Sequence, residues 1–161
     1  MDKIGLLKQI ESKLEDEIVA AERARKDAQD EANSHKGAMQ SRYDTFKEEA
    51  QDKAAAYAQR KAELSDLLSV IRNFVSSSFI PQPGGIIRVG SIILLMSGDE
   101  EKRYILAPAG GGMELIVGSD EILVITLSSP LGRILMGKKT GEEVHLCIQN
   151  KVITHQIMEV L

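Results

Sequence analysis

Few side chains in this sequence are suited to chemistry. It has three histidines and one cysteine. His145 and His155 lie on successive strand-like runs, where they would face each other. A zinc ion needs further ligands, and no Asp, Glu or Cys set at zinc spacing accompanies them. They read as surface or half-buried strand residues. Cys147 sits in the apolar run "VHLCIQ" and reads as sheet packing rather than as a nucleophile. "APAGGG" at 107–112 has the glycine content of a phosphate loop, but no Lys-Ser/Thr follows and no helix starts there. It reads as a flexible strand-to-strand turn. The stretch "AQDEANSHKGAMQSRYD", residues 28–44, interrupts a long charged helical pattern. It gathers Asp30, Glu31, Asn33, His35, Lys36, Met39, Tyr43 and Asp44 around Gly37. A histidine at this place could serve as a switch near neutral pH, but plain solvation is the expected state of His35.

Two kinds of chain must position these residues. Residues 1–75 hold two of the 13 glycines and no proline; residues 76–161 hold eleven glycines and all four prolines. In the first segment Leu7, Ile10, Leu14, Ile18, Ala21, Ala24, Ala28 and Ala32 recur at three- and four-residue steps. Met39, Tyr43, Phe46, Ala50, Ala54, Tyr57, Lys61, Leu64, Leu68 and Ile71 do the same. That spacing predicts two amphipathic helices joined at Gly37 in an antiparallel coiled coil. Its arms of about 30 residues would reach roughly 45 Å. The stripe thins from Leu and Ile to Ala toward the turn, so apolar burial falls there. Glu22–Lys26 and Glu49–Lys53 are expected as i,i+4 pairs.

"SSSFIPQPGG" at 76–85 reads as a linker, because Pro81 and Pro83 cannot continue a helix. Residues 86–161 read as strands: "IIRVGSIILLM", "KRYILA", "MELIVG", "EILVITL" and a terminal hairpin of "VHLCIQ" and "VITHQIMEV". One helix interrupts them. Ser129 is a suitable N-cap, Pro130 fits the first helical position, and Gly137 suits the end. The expected architecture is a helical hairpin (1–75), a linker (76–85) and a small α+β domain (86–161).

Composition excludes several function classes. Aromatics are 4% and tryptophan is absent, which disfavours stacking on single-stranded nucleic acid. Net charge is −4 with no basic block, so direct nucleic-acid binding is not expected. The longest apolar run, "IILLM" at 92–96, is too short to span a bilayer. The N-terminus lacks the apolar stretch of a signal peptide. With one cysteine and no internal disulfide, a reducing cytoplasm is the expected compartment.

The segment "VITLSSPLGRILMGKKTGEEVHL" resembles the C-terminal signature of the bacterial Gre family of transcription elongation factors: Ser-Pro opening a short helix, Gly-Lys ending it, and a Gly-acidic turn before the next strand. "KRYILAPAGGGMEL" is similar to a subgroup of Gre-like proteins, and Tyr43 to Glu49 loosely resembles the family's second hairpin arm. The resemblance implies a coiled coil followed by an FKBP-like antiparallel-sheet domain with one short helix. It implies a partner, RNA polymerase, engaged at the rim of its secondary channel. The rim contact maps to Ser128, Ser129 and Pro130, with Arg133 beside them. Ser128 departs from the acidic residue that the family often carries first.

Cleavage factors of this family use paired acidic residues at the hairpin tip to help hold a second metal ion in the polymerase site, as Mg²⁺ favours hard oxygen ligands. Counted back from Tyr43, those positions fall on Lys36, Met39 and Gln40. A shifted alignment offers Asp30, Glu31 and Asn33 instead. Asp30 and Glu31 are adjacent, so on a helix they diverge by about 100°. The expectation is a monomeric polymerase-binding regulator that is not an enzyme, with no catalytic residue, metal or cofactor of its own. An active cleavage factor using Asp30 and Glu31, and a non-enzymatic coiled-coil adaptor, remain open. Prolyl isomerase activity is not expected, since Phe79 and Tyr104 are the only aromatics available to line a pocket.

Overall fold

The computed structural model describes residues 2–34, 40–77, 85–149 and 151–161. Two long helices come first, α1 (Lys3–Ser34) and α2 (Gln40–Ser76). Six strands follow, β1 (Ile92–Ser97), β2 (Glu100–Leu106), β3 (Glu114–Val117), β4 (Asp120–Ile125), β5 (Glu143–Ile148) and β6 (Lys151–Val160). A short helix, α3 (Pro130–Leu135), separates β4 from β5. Packing divides the chain into two compact units. One joins Met1–Glu11 to Ser69–Leu161; the other is Ser12–Leu68.

In the Ser12–Leu68 unit the helices run antiparallel. Leu14, Ala21, Ala28 and Ala32 are buried on α1, and Ala50, Ala54, Leu64 and Leu68 on α2. The change from leucine to alanine follows the spacing read in the sequence. Two positions on that stripe behave otherwise: Phe46 is 59% exposed and Tyr57 is also exposed. Lys61 joins neither core nor stripe. Its ammonium crosses to Glu22 of α1 at 3.0 Å. Glu22 also binds Arg25 at 2.9 Å, so its partners are i,i+3 and interhelical rather than Lys26. A second bridge links Glu17 and Arg60 at 3.1 Å.

In the other unit the strand order is β3-β4-β2-β1-β6-β5. All pairings are antiparallel except β2 with β4, which is parallel. The connection at 107–113 carries the chain past one vacant strand position to β3. β4 then returns into the gap, alongside β2 and in the same direction. The first half of "IIRVGSIILLM" is not strand: Val89 and Gly90 form a turn, with Gly90 at φ 95°.

The sheet is buried on one face and, over β1 to β4, on the other. One face packs Ile93, Leu95, Tyr104, Leu106, Val144, Ile157 and Val160 with Leu135 of α3 and Ile87. Side chains alternate along a strand, so Ile92, Ile105, Leu115, Ile122 and Val124 lie on the opposite face, and they too are buried. The start of α1 belongs to the same unit. There Leu6, Leu7 and Ile10 are buried, and Ile10 lies against Gly110 in the β2–β3 connection.

Candidate functional site

The segment between β4 and β5 builds a tight, exposed knuckle. Ser129 caps α3 from extended geometry, φ −78° and ψ 147°. Its Oγ accepts the Gly132 N–H at 3.0 Å and donates to the Thr126 carbonyl at 2.8 Å. Its own N–H also donates to that carbonyl, at 3.0 Å. Pro130 occupies the first turn, where its missing N–H costs nothing. Gly137, at φ 82°, follows the C-cap and returns its N–H to the Ile87 carbonyl at 2.9 Å. The cap, proline and terminal glycine are those read in the sequence.

This anchoring leaves one face open. Leu131, Ile134 and Leu135 turn to the core. Pro130, Arg133 and Met136, three residues apart, are exposed, as are Leu127 and Ser128. The result is an apolar surface with one guanidinium at its centre. The Ser128 hydroxyl shares a hydrogen bond with Thr126 Oγ1 at 2.7 Å. A cavity of about 400 Å³ adjoins the knuckle, lined by Tyr104, Gly111, Gly112, Thr126, Ser128 and Ser129 among others. Burial raises the Tyr104 phenol above its usual value. Thr126 and Gly111 were not singled out by sequence reasoning. Their signal was present in the "VITLSS" and "APAGGG" runs, but it needs the fold to bring them together.

The hairpin end is less concentrated. Asp30, Glu31 and Asn33 are exposed near the end of α1, while Ala28 and Ala32 face inward. His35, Lys36 and Met39 lie outside the described residues, and so do the side chains of Tyr43 and Asp44. Among the described residues, no group of three or more His, Cys, Asp or Glu is placed to hold a metal ion.

The remaining reactive residues separate. His145 and His155 do not face each other, because their partners across the hairpin are Thr154 and Val144. His145 is exposed and bonds Thr154 Oγ1 at 3.0 Å. His155 points into the core, and its Nε2 has no hydrogen-bond partner. Burial, reinforced by the Lys102 charge, lowers its pKa. Cys147 is exposed, not core, because its position alternates with the buried Leu146. An acidic groove of about 600 Å³ lies across Glu100, Glu101, Lys102, Arg103, Glu114, Asp120 and Glu121, with Arg103 bound to Asp120 at 2.7 Å.

These features define a class: a two-helix hairpin followed by a mixed-sheet domain that presents a capped knuckle. Residues 82–161 match the family described as "Transcription elongation factor, GreA/GreB, C-term". The chain is 32% identical over 114 residues to the transcription elongation factor GreA of Sulfurovum sp. (strain NBC37-1). That match covers 70% of this chain and 65% of the relative, just under two thirds of its length. Among solved structures, Gfh1 of Thermus thermophilus is 19% identical over 96% of this chain and 94% of that one, at TM-score 0.38. Another is GreA/GreB from Nitrosomonas europaea, 17% identical over 60% and 77% of the two chains, at TM-score 0.36. Residues 82–161 thus carry the C-terminal domain of the GreA/GreB family of transcription elongation factors.

Proposed function

We propose that the chain is a transcription elongation regulator that docks on RNA polymerase at the secondary-channel rim through its knuckle and inserts its hairpin without efficient transcript cleavage. The observation that carries this reading is the exposed face of Leu127, Ser128, Pro130, Arg133 and Met136, fixed from beneath by the Ser129 cap. A rigid apolar patch around one cation suits a partner helix with an acidic residue. The knuckle does the docking with the Ser128 hydroxyl in place of a carboxylate. Among the described residues, Asp30 and Glu31 are neighbours on α1 and diverge, so they do not converge on one metal ion. The protein acts in the cytoplasm as a monomer and competes with true cleavage factors for the channel.

The test is binding of purified protein to core polymerase, with Arg133→Glu as the paired variant. Wild-type binding at micromolar concentrations and its loss in the variant support the docking. No wild-type binding sinks it. In the same complexes, halted and backtracked, the protein should leave transcripts uncut. Shortening that disappears in Asp30→Ala would instead establish the cleavage-factor alternative.

A second reading is favoured by Phe46 and Val19, both 59% exposed, and by the exposed Tyr57 on the hairpin. Exposed apolar side chains suit an adaptor whose coiled coil binds another protein or a second copy. Sedimentation separates the two: a stable dimer supports the adaptor, a monomer the polymerase probe.

A further inference from the structure

The knuckle is held by a residue that does not itself form its exposed face. Thr126 closes β4 and uses three of its atoms at once. Its carbonyl accepts both the N–H and the Oγ–H of Ser129, at 3.0 and 2.8 Å. Its hydroxyl is 2.7 Å from the hydroxyl of Ser128. Its side chain lies against Gly111, where an added Cβ would sit 3.1 Å from Oγ1 and 3.2 Å from Cγ2.

Gly111 is itself pinned. Ala107 N–H donates to the Ile125 carbonyl and Gly112 N–H to the Val124 carbonyl, both at 2.8 Å. The triple-glycine segment is therefore a strap tied to β4 on both sides of Gly111, not a loose turn. Threonine is β-branched and stiff at χ1. With the strap on one side and Ser128 on the other, its hydroxyl has one direction to take. Ser128 is exposed, and a serine hydroxyl with no such partner rotates freely among its staggered positions.

We infer that Thr126, set by the Gly111 strap, is the positioning residue of the knuckle and fixes the Ser128 hydroxyl in its docking orientation. The inference rests on the docking reading above. Removing the Thr126 hydroxyl releases Ser128 into water rather than orphaning a buried group, so the fold loses little while docking loses orientation.

The test compares Thr126→Val, Thr126→Ser, Gly111→Ala and Arg133→Glu with the wild-type chain, measuring the polymerase Kd and Tm of each. Thr126→Val keeps the shape and is expected to weaken binding roughly three- to tenfold, the scale of one net hydrogen bond, at unchanged Tm. Thr126→Ser keeps the hydroxyl but loses the branch that rests on Gly111, and should recover only part of the affinity lost in Thr126→Val. Gly111→Ala, which pushes on Thr126, should weaken binding as Thr126→Val does. Wild-type affinity in Thr126→Val overturns the inference, and so does a loss in Thr126→Val that only accompanies a fall in Tm. If the wild-type chain binds and Arg133→Glu does not, docking stands and the positioning role is judged by Thr126→Val alone. A wild-type chain that fails to bind overturns both.

Discussion

Ile10 of α1 lies against the backbone of Gly110 so closely that a Cβ on the glycine would sit 2.7 Å from Ile10 Cγ2. Gly110 also has φ +80°, a conformation that costs other L-residues about 1–2 kcal/mol. Ile10 is fully buried and has no room to retreat. Gly110→Ala is therefore expected to lower stability by about 2 kcal/mol or more. Urea unfolding checks this; a midpoint equal to wild type would mean that the contact is soft.

His155 makes stability depend on pH. Burial lowers its folded pKa below 6.5, with a smaller push from the Lys102 charge. The unfolded chain therefore takes up the proton first as pH falls. The stability that His155 contributes as a neutral ring is complete above pH 6.5 and is lost as pH drops below it. The urea midpoint should fall between pH 7.5 and 5.5, and His155→Leu should flatten that part of the profile. An unchanged slope in the variant would remove His155 as its source.

The Glu22 carboxylate accepts from Arg25 within its own helix and from Lys61 across the hairpin, and these bonds lower its pKa to about 2. Here the sign is opposite in origin and the same in direction. Its contribution is present above the unfolded value of 4.5 and is lost as pH falls toward 2. The pair is solvent-exposed, so the effect is small and screened. Glu22→Gln should lower Tm slightly at low ionic strength and not at all in about 1 M salt. A deficit that persists in high salt would point to lost packing of the side-chain stem.

Ser129→Ala removes the cap of α3 and one bond to Thr126. The expected cost is about 1 kcal/mol, with Ser129→Thr recovering most of it. Denaturant titration of the two variants measures both. Equal losses would show that the hydroxyl is not the stabilising group.

The elements were largely legible in the sequence because local chemistry decides them. The three- and four-residue spacing marks both helices, and Ser129, Pro130 and Gly137 mark both ends of α3. What escaped depends on neighbours that sequence does not place. The parallel β2–β4 pairing requires knowing that the 107–113 connection skips a strand position. His155 and Cys147 exchanged their expected environments because hairpin register, not residue type, decides which face is buried. Phe46 and Tyr57 fit an apolar stripe by spacing, yet both are exposed while Ala50 and Ala54 of the same stripe are buried. The candidate site was half legible: its exposed residues lie in one run, while the strap that orients it is separated from them by two strands.

The unit that holds the sheet takes its first eleven residues from one end of the chain and the rest from position 69 onward. It is discontinuous, and that gives an order to events on the ribosome. The β-strands emerge after the hairpin, and Ile10 must wait for Gly110, a hundred positions later. The two helices of the hairpin, built from local backbone bonds, are free to form first. The segment matched at residues 82–161 is thus shorter than the packed unit, which also includes the start of α1. Cut out at that boundary, it would leave behind the α1 side chain that packs on its glycine strap.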